Sequence, residues 1–329
     1  MTRRWKVLLC GYYGMGNLGD ELLARASLHL LEHCGVPLDD VAMLSGNVAE
    51  SRKLHGVEAF DRWSAREVLS ALKQSETLLL GGGGIFQDST SLRSPLYYWL
   101  IVRAARCAGC RAWAFGQSVG PFRSPVSRFL AKNAFHSCRA VGVRDENSRR
   151  FFKRRVLLSD DLVLSLPCAK SSAGSKFLVN LRGWDGRLER ESAAAFSGLR
   201  LPEKSTVVGV AMDRADARVM EQLTAEGVLR LDDVVCPTFD RIHGVFDGAF
   251  GAFGMRLHFG VLCLKHGVPC TLIPYDPKVS AFALRWGASL WQGGALSMPG
   301  AWQDEAEQKR RLNDLEEKFH ECFEKVMNR

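Results

Sequence analysis

The chain has no run of eighteen or more consecutive apolar residues, which excludes a membrane-spanning helix of ordinary length. Its opening, Met1-Thr2-Arg3-Arg4-Trp5-Lys6, leads into only four apolar residues before Gly11. That is too short for the core of a signal peptide, so a cytoplasmic protein is expected. There is no internal repeat and no coiled-coil pattern, which excludes solenoids and fibrous rods. Ten cysteines follow no repeating spacing, which fits a reducing compartment better than a disulfide framework. The one Cys-x-x-Cys, Cys107 to Cys110, closes an apolar helix with Gly109 as its terminator. No second Cys or His pair lies at ligand spacing from it, so no metal is expected. No Gly-Lys-Ser/Thr follows the glycine runs, which excludes a Walker loop.

What is present points to a two-domain α/β protein. At 329 residues the chain is long for one domain and comfortable for two, and 47% apolar residues can fill ordinary cores. The net charge of +8 is unevenly spread. Residues 1–165 hold 23 Lys and Arg against 15 Asp and Glu, whereas residues 166–329 hold 21 of each. From Arg93 to Arg155 there are 14 basic residues and only two acidic ones, Asp145 and Glu146. Such a strip attracts anions: nucleic acid, acidic lipid head groups or a pyrophosphate-bearing substrate. Within it, Arg149 to Arg155 (Arg-Arg-Phe-Phe-Lys-Arg-Arg) has the composition of an interfacial anchor. The same pattern also fits a helix with Phe151 and Phe152 packed inward, the preferred reading for the two rings.

Strand-like and helix-like segments alternate through the first half, which predicts a doubly wound parallel sheet. Lys6–Cys10 reads as a strand and Glu21–His33 as a helix. Gly14, Gly16 and Gly19 between them match the dinucleotide spacing, but the second strand, Val41–Leu44, ends at Ser45 rather than at an acidic residue. Asn17, Asp20 and Glu21 suit hydrogen bonds to sugar hydroxyls better, although Asp20 as a helix N-cap explains part of the pattern without a ligand. The strand Thr77–Leu80 opens into Gly81-Gly82-Gly83-Gly84, then Gln87 and Asp88. Four glycines in a row suit close approach of backbone to a ligand or a strained turn. A helix from Leu96 to Cys107 follows, with Pro95 expected at its first position. Later strands end at Gly116-Gln117 and at Arg144-Asp145-Glu146. In a parallel sheet all these loops share the ligand edge, outside the carboxyl ends of the strands.

A flexible linker is expected over Pro167–Lys176, giving domains of 1–168 and 176–329. The second domain repeats the logic. Arg182 follows the strand Phe177–Leu181, and Arg256 and His258 enter a helix stopped by Gly267. Lys278 follows the strand Pro269–Ile273. Three cations and an imidazole at strand ends, near free N–H groups of helix starts, describe a pocket for a small multiply charged anion. Taken alone, Arg256-x-His258 also fits a helix cap beside a packed imidazole. The terminal helix, Gln303–Arg329, carries one apolar stripe of Leu312, Leu315, Phe319, Phe323 and Val326.

Gly254-Met-Arg-Leu-His258 followed by Gly267-Val-Pro269 and Tyr275-Asp-Pro-Lys278 resembles the C-terminal signature of the polysaccharide pyruvyl transferase family. The first half adds an ordered set of further motifs. These are Gly11-Tyr-Tyr-Gly-x-Gly-Asn-x-Gly-Asp-Glu21, the glycine run with Gln87-Asp88, Ser91-x-Arg93-Ser94-x-x-Tyr97-Tyr98, Gly116-Gln117-x-x-Gly120-Pro121 and Val143-Arg-Asp-Glu146. Together they resemble bacterial cell-wall pyruvyltransferases of the CsaB type. The resemblance implies a GT-B-like fold, two Rossmann-type domains facing a central cleft with the terminal helix returning to the first. It also implies transfer from phosphoenolpyruvate to N-acetylmannosamine of a lipid-linked precursor as a 4,6-pyruvate ketal, the modification by which surface-layer proteins are anchored to the wall. No cofactor or metal is implied.

On that reading Arg182, Arg256 and Lys278 clamp phosphoenolpyruvate, with bidentate arginine contacts orienting the carboxylate. His258, held as imidazolium by the dianion, is the general acid. Asp20 is the first choice of general base and Asp88 the second. The acceptor is expected against Gly16, Asn17, Asp20, Gly83, Gln87, Asp88, Arg93, Tyr97, Gln117 and Arg144, with its pyrophosphate and lipid toward the basic strip and an anionic membrane. Two rivals stand beside this: a GT-B glycosyltransferase holding a nucleotide-sugar diphosphate on Arg256, His258 and Lys278, and a non-enzymatic protein binding nucleic acid or membrane through the basic strip.

Overall fold

Strands that are apolar on both faces must be covered on both faces, and helices crossing over a parallel sheet do this. A computed structural model describes residues 3–88, 91–153, 156–172, 174–302 and 304–328. The chain divides into two units, residues 1–166 with 309–329, and residues 167–308. The expected assignment of all of 176–329 to the second domain thus differs at its end: the terminal helix from Lys309 groups with the first unit.

In the first unit the strands are β1 (Trp5–Cys10), β2 (Val41–Ser45), β3 (Glu58–Asp61), β4 (Ser75–Leu80), β5 (Gly83–Phe86), β6 (Arg111–Val119), β7 (Val141–Val143) and β8 (Leu157–Leu158). Every pairing among them is parallel, in the order β3-β2-β1-β4-β6-β7-β8, with β5 alongside β6. The helices are α1 (Leu18–His33), α2 (Val48–His55), α3 (Ala65–Lys73), α4 (Arg93–Cys107), α5 (Pro125–His136) and α6 (Glu146–Arg150). The order reverses between β1 and β4, and at such a switch point the loops after the two strands diverge and leave a crevice.

In the second unit β9 (Lys176–Asn180), β10 (Thr206–Val210), β11 (Asp233–Val235), β12 (Ala249–Gly254), β13 (Cys270–Leu272) and β14 (Ser289–Leu290) form a parallel sheet in the order β11-β10-β9-β12-β13-β14. The switch point lies between β9 and β12. The helices are α7 (Leu188–Ser197), α8 (Arg214–Ala225), α9 (Ile242–Val245), α10 (Leu257–His266) and α11 (Pro277–Trp286).

The last helix, α12 (Glu305–Met327), buries Leu315, Phe319, Phe323 and Val326, members of its expected stripe. Phe319 meets Trp113 and Phe115 of β6 with ring centres 5.4 and 5.1 Å apart, and Phe323 meets Trp113 at 6.1 Å. Each buried ring of this kind stabilises by about 2–3 kcal/mol, so the stripe alone accounts for the helix's place on the first unit. Its expected start, Gln303, lies outside the described residues.

Two local expectations are corrected. α4 begins at Arg93, so Pro95 sits inside the first turn rather than at its first position. The expected flexible linker is tied down on the second unit. Ser171 N–H donates to the His266 carbonyl at 2.8 Å, and its hydroxyl donates to that of Phe246 at 2.5 Å.

Candidate functional site

The second sheet gathers its charged residues at one edge. Asn180, fully buried at the end of β9, is the organiser. Its side-chain N–H donates to the Val210 carbonyl at 2.8 Å, its side-chain oxygen accepts from Arg256 N–H at 2.9 Å, and its carbonyl accepts from Met255 N–H at 2.9 Å. One amide thereby fixes the loops after β9, β10 and β12. Arg256 is the N-cap residue of α10, Leu257 the first helical residue and His258 the second. His258 therefore stands in the first turn, where helix N–H groups face outward. Lys278 is the second residue of α11, behind the N-cap Asp276.

Two carboxylates outside the expected set complete this edge. Asp213, N-cap of α8, and Asp216 in its first turn both turn onto Arg256. Arg256 Nε donates to Asp216 Oδ2 at 2.9 Å and Nη2 to Asp216 Oδ1 at 2.6 Å, and Nη2 also pairs with Asp213. Burial works against the guanidinium charge, but the hydrogen bonds and charge of Asp216, with Asp213 and Tyr275 behind them, hold Arg256 above its ordinary value. Burial pushes the Asp216 carboxyl up, against the pull of Arg256. Lys278 Nζ lies 3.3 Å from Asp276 Oδ2. Arg182 has aromatic company instead: its guanidinium lies 5.3 Å from the Tyr275 ring centre and 5.7 Å from that of Trp184, and Nη1 donates to Tyr275 Oη at 3.4 Å. Tyr275 thus joins the loop of Arg182 to that of Lys278 and is felt electrostatically by Arg256. The three expected cations share one edge, but two carry carboxylates, so Arg182 is the cation most open to an incoming anion.

In the first unit the loop after β1 is held from within. Asn17, not Asp20, caps α1, its side-chain oxygen accepting from Gly19 and Asp20 N–H at 3.0 and 3.3 Å. Glu21 is a buried strut, accepting from Gly14 N–H at 2.7 Å and lying 2.9 Å from His55 Nε2. Gly14 has φ +68°, and a side chain there would run into Ser45 Oγ and Asn47 N at the end of β2. The first dinucleotide glycine thus answers a packing need. Across the switch point, a methyl group on Gly83 would lie 3.8 Å from Asp20 Oδ1. Asp20 and the glycine run therefore meet, with Gly16 exposed beside them. Gly81 and Gly82 are packed under Tyr13 and Leu23, so close approach to the protein's own side chains explains half of the run.

Other expected acceptor residues are taken up by structure. Gln117 is fully buried, its side-chain N–H groups donating to the Leu80 carbonyl at 3.3 Å and to that of Gly81. Arg144 is buried, donating to Ser118 Oγ at 2.8 Å and paired with Asp161. Asp88 accepts from Arg123 and Ser124 N–H at 2.7 and 2.8 Å. Burial alone would raise its carboxyl, but these hydrogen bonds hold it below its ordinary value, which ill suits a general base. Gln87 remains partly exposed and Arg93 exposed. Tyr97 Oη donates to the Arg62 carbonyl at 3.2 Å.

Arg62 was not anticipated. It is 4% exposed, donates to the Gly11 carbonyl at 2.7 Å and to Tyr98 Oη at 3.1 Å, and sits among the rings of Tyr97, Trp63, Tyr98 and Tyr12 at 4.6–5.7 Å. Trp63 and Tyr12 keep 63% and 42% exposure, leaving aromatic faces beside the switch-point loops. A signal existed: an arginine among aromatics just past a short apolar stretch.

Within the basic strip, Phe151 and Phe152 pack on the core beside Phe122 and Phe135, as preferred for the rings. Arg154 and Arg155 lie outside the described residues. Exposed apolar side chains occur instead at Leu92, Leu96 and Leu100, spaced four apart at and along α4, and at Val126 and Phe129 on α5. No helix among the described residues is long and apolar enough to cross a membrane.

The family model for polysaccharide pyruvyl transferase matches residues 17–232, more than half of the chain. The chain belongs to the polysaccharide pyruvyl transferase family. The matched stretch begins at Asn17, the N-cap of α1, takes in the glycine run, Arg182 and Asp213, and ends before Arg256, His258 and Lys278. No curated protein matches the sequence. Among solved structures, the putative UDP-N-acetylglucosamine 2-epimerase from Listeria monocytogenes is similar at TM-score 0.56 and 10% identity, over 100% of this chain and 91% of that one. The UDP-GlcNAc 2-epimerase from Neisseria meningitidis bound to UDP-GlcNAc has TM-score 0.56 and 10% identity over 98% and 94%. Acinetobacter baumannii MurG has TM-score 0.52 and 13% identity over 98% and 94%. At such identities the likeness is one of fold, that of two GT-B-like, parallel-sheet α/β domains.

Proposed function

We propose that this protein moves the enolpyruvyl unit of phosphoenolpyruvate onto a sugar, N-acetylmannosamine of a lipid-linked cell-wall precursor of the CsaB type. The product is a 4,6-pyruvate ketal, and phosphate is released. The observation that carries the reading, beside family membership, is the gathering of Arg182, Arg256, His258 and Lys278 at the carboxyl ends of β9, β12 and β13.

Arg182 and Lys278 receive the carboxylate and phosphate. Arg256, braced by Asp213 and Asp216, holds the loop and offers its remaining N–H edge. One sugar hydroxyl adds to the central carbon of phosphoenolpyruvate while His258 delivers a proton to the methylene carbon, making the methyl group. The C–O bond to phosphate then breaks, and the second hydroxyl adds to the same carbon. Of the two hydroxyl protons released, one replaces the proton His258 gave and the other leaves with phosphate. Asp20, at the first unit's switch point, accepts a hydroxyl proton.

Because Gln117, Arg144 and Asp88 serve the fold, the acceptor rests on Gly16, Asn17, Asp20, Gln87 and Arg93, with Tyr12 and Trp63 giving ring faces to its apolar C–H surface. The lipid end meets an anionic membrane through the leucines of α4 and Phe129 of α5, among the cations of the basic strip.

The test is incubation with phosphoenolpyruvate and a synthetic lipid-linked disaccharide, followed by phosphate release and the ketal methyl signal. Absence of both, with saturable binding of UDP-sugars by titration calorimetry, would favour the rival GT-B glycosyltransferase.

A further inference from the structure

Away from the carboxyl edge of the second sheet, three side chains with metal-binding chemistry meet. Cys168 lies two residues into the second unit, His243 is in α9, and His266 is the last residue of α10. Cys168 Sγ is 3.3 Å from His266 Nε2 and 3.8 Å from His243 Nδ1, and the two nitrogens are 3.0 Å apart. Tetrahedral zinc, with bonds of about 2.05 Å to nitrogen and about 2.3 Å to sulfur, sets its ligand atoms about 3.3 Å apart for N–N and about 3.6 Å for S–N. All three observed edges fall within about 0.4 Å of those lengths. His266 is buried, and its ring is stacked on Phe246 at 4.6 Å with a 2° interplanar angle, so it reaches the cluster already oriented.

We infer that Cys168, His243 and His266 form a binding site for one tetrahedral divalent metal ion of the zinc type. Nothing in the proposed transfer reaction uses these residues. A thiolate with two imidazoles is a donor set that prefers zinc over magnesium or calcium, which take oxygen ligands. Water completes the fourth position. Asp247, whose charge acts on both Cys168 and His266, offsets the positive charge brought by Lys170 and Lys265, and Lys170 is itself 3.5 Å from Glu305.

The position argues for a structural role. Along α10, His266 lies eight residues beyond His258, a rise of about 12 Å. A metal at its far end clamps the entry of the second unit and α9 onto the helix that presents His258.

Cobalt(II) is the probe. The full-length protein, dialysed against chelator and titrated with Co²⁺, is expected to bind one ion per chain. It should show a sulfur-to-cobalt charge-transfer band and intense tetrahedral ligand-field bands, all abolished by excess Zn²⁺. Cys168→Ser should remove the charge-transfer band, while the Cys107→Ser/Cys110→Ser pair keeps it. In the unaltered protein, Zn²⁺ should slow alkylation of Cys168 at least tenfold, read by peptide mass spectrometry, so the inference does not depend on any variant folding. No stoichiometric cobalt binding, a band that survives Cys168→Ser, or equal alkylation with and without Zn²⁺ would overturn it.

Discussion

Replacing Asp216 with Asn tests whether Arg256 is a strut before it is an anion clamp. Asp216 is 1% exposed and uses both oxygens: Oδ2 accepts from Arg256 Nε at 2.9 Å and Met212 N–H at 3.2 Å, and Oδ1 from Arg256 Nη2 at 2.6 Å. Asn offers one acceptor and turns an NH₂ toward a donor on at least one side. Breaking a buried ion pair costs about 3–5 kcal/mol, because it strands the remaining charge. Asp213 still holds Nη2, so the expected loss is at the low end, about 3 kcal/mol. Urea unfolding of the second unit should show this as a lower midpoint at constant slope. A double-mutant cycle with Arg256→Met separates the pair from side effects. Once both charges are gone, the penalty of the single changes should fall by about 2 kcal/mol, a coupling typical of touching residues. An Asp216→Asn variant within about 0.5 kcal/mol of the parent, or a cycle with no coupling, would refute the strut.

Further outcomes follow from the same geometry. His258→Ala is expected to abolish turnover while leaving phosphoenolpyruvate affinity within about tenfold, and sustained phosphate release would remove it as proton donor. Trp63→Ala should raise the acceptor KM about tenfold with stability within about 0.5 kcal/mol, since the ring is 63% exposed; unchanged KM would end the stacking role. Asp88→Asn should cost about 2 kcal/mol at pH 7, through weakened charge-assisted hydrogen bonds to Arg123 and Ser124. The folded Asp88 carboxyl lies below its ordinary value of 3.8, so its charge contributes fully above pH 4 and is lost as pH falls through the lowered value. The gap between parent and variant should therefore narrow below pH 4, and a gap that widens there would contradict the assignment. Leu96→Glu with Phe129→Glu should release the protein from anionic vesicles in sedimentation, and undiminished binding would exclude that face.

Much of the scaffold was legible because it is written in local periodicity. The β1–α1, β6 and α10–β13 segments each carry their own apolar pattern and stop signals, down to Gly267 in the left-handed conformation with φ +72°. Short or mixed elements carry too little local signal: α2 mixes charge with little apolar content, and β5 takes half of its four residues from the glycine run.

The candidate site divides along the same line. Local pattern is enough to put Arg182, Arg256, His258 and Lys278 after strands, because a polar residue after an apolar run in an alternating α/β chain lies at the carboxyl edge whatever the order of the strands. It could not determine their partners. Asp213 and Asp216 reach Arg256 only because β10 lies on the far side of β9 from β12, an order that local patterns do not encode. Gln117 and Arg144 read as ligand residues by position, yet folding turned them inward to satisfy the Gly81 carbonyl and Asp161. Cys168, His243 and His266 lie 75 and 23 residues apart along the chain and meet within 4 Å only where the end of α10, α9 and the entry of the second unit pack together. Strand ends are set by neighbours in sequence; pairing of charges and convergence of ligands are set by neighbours in space.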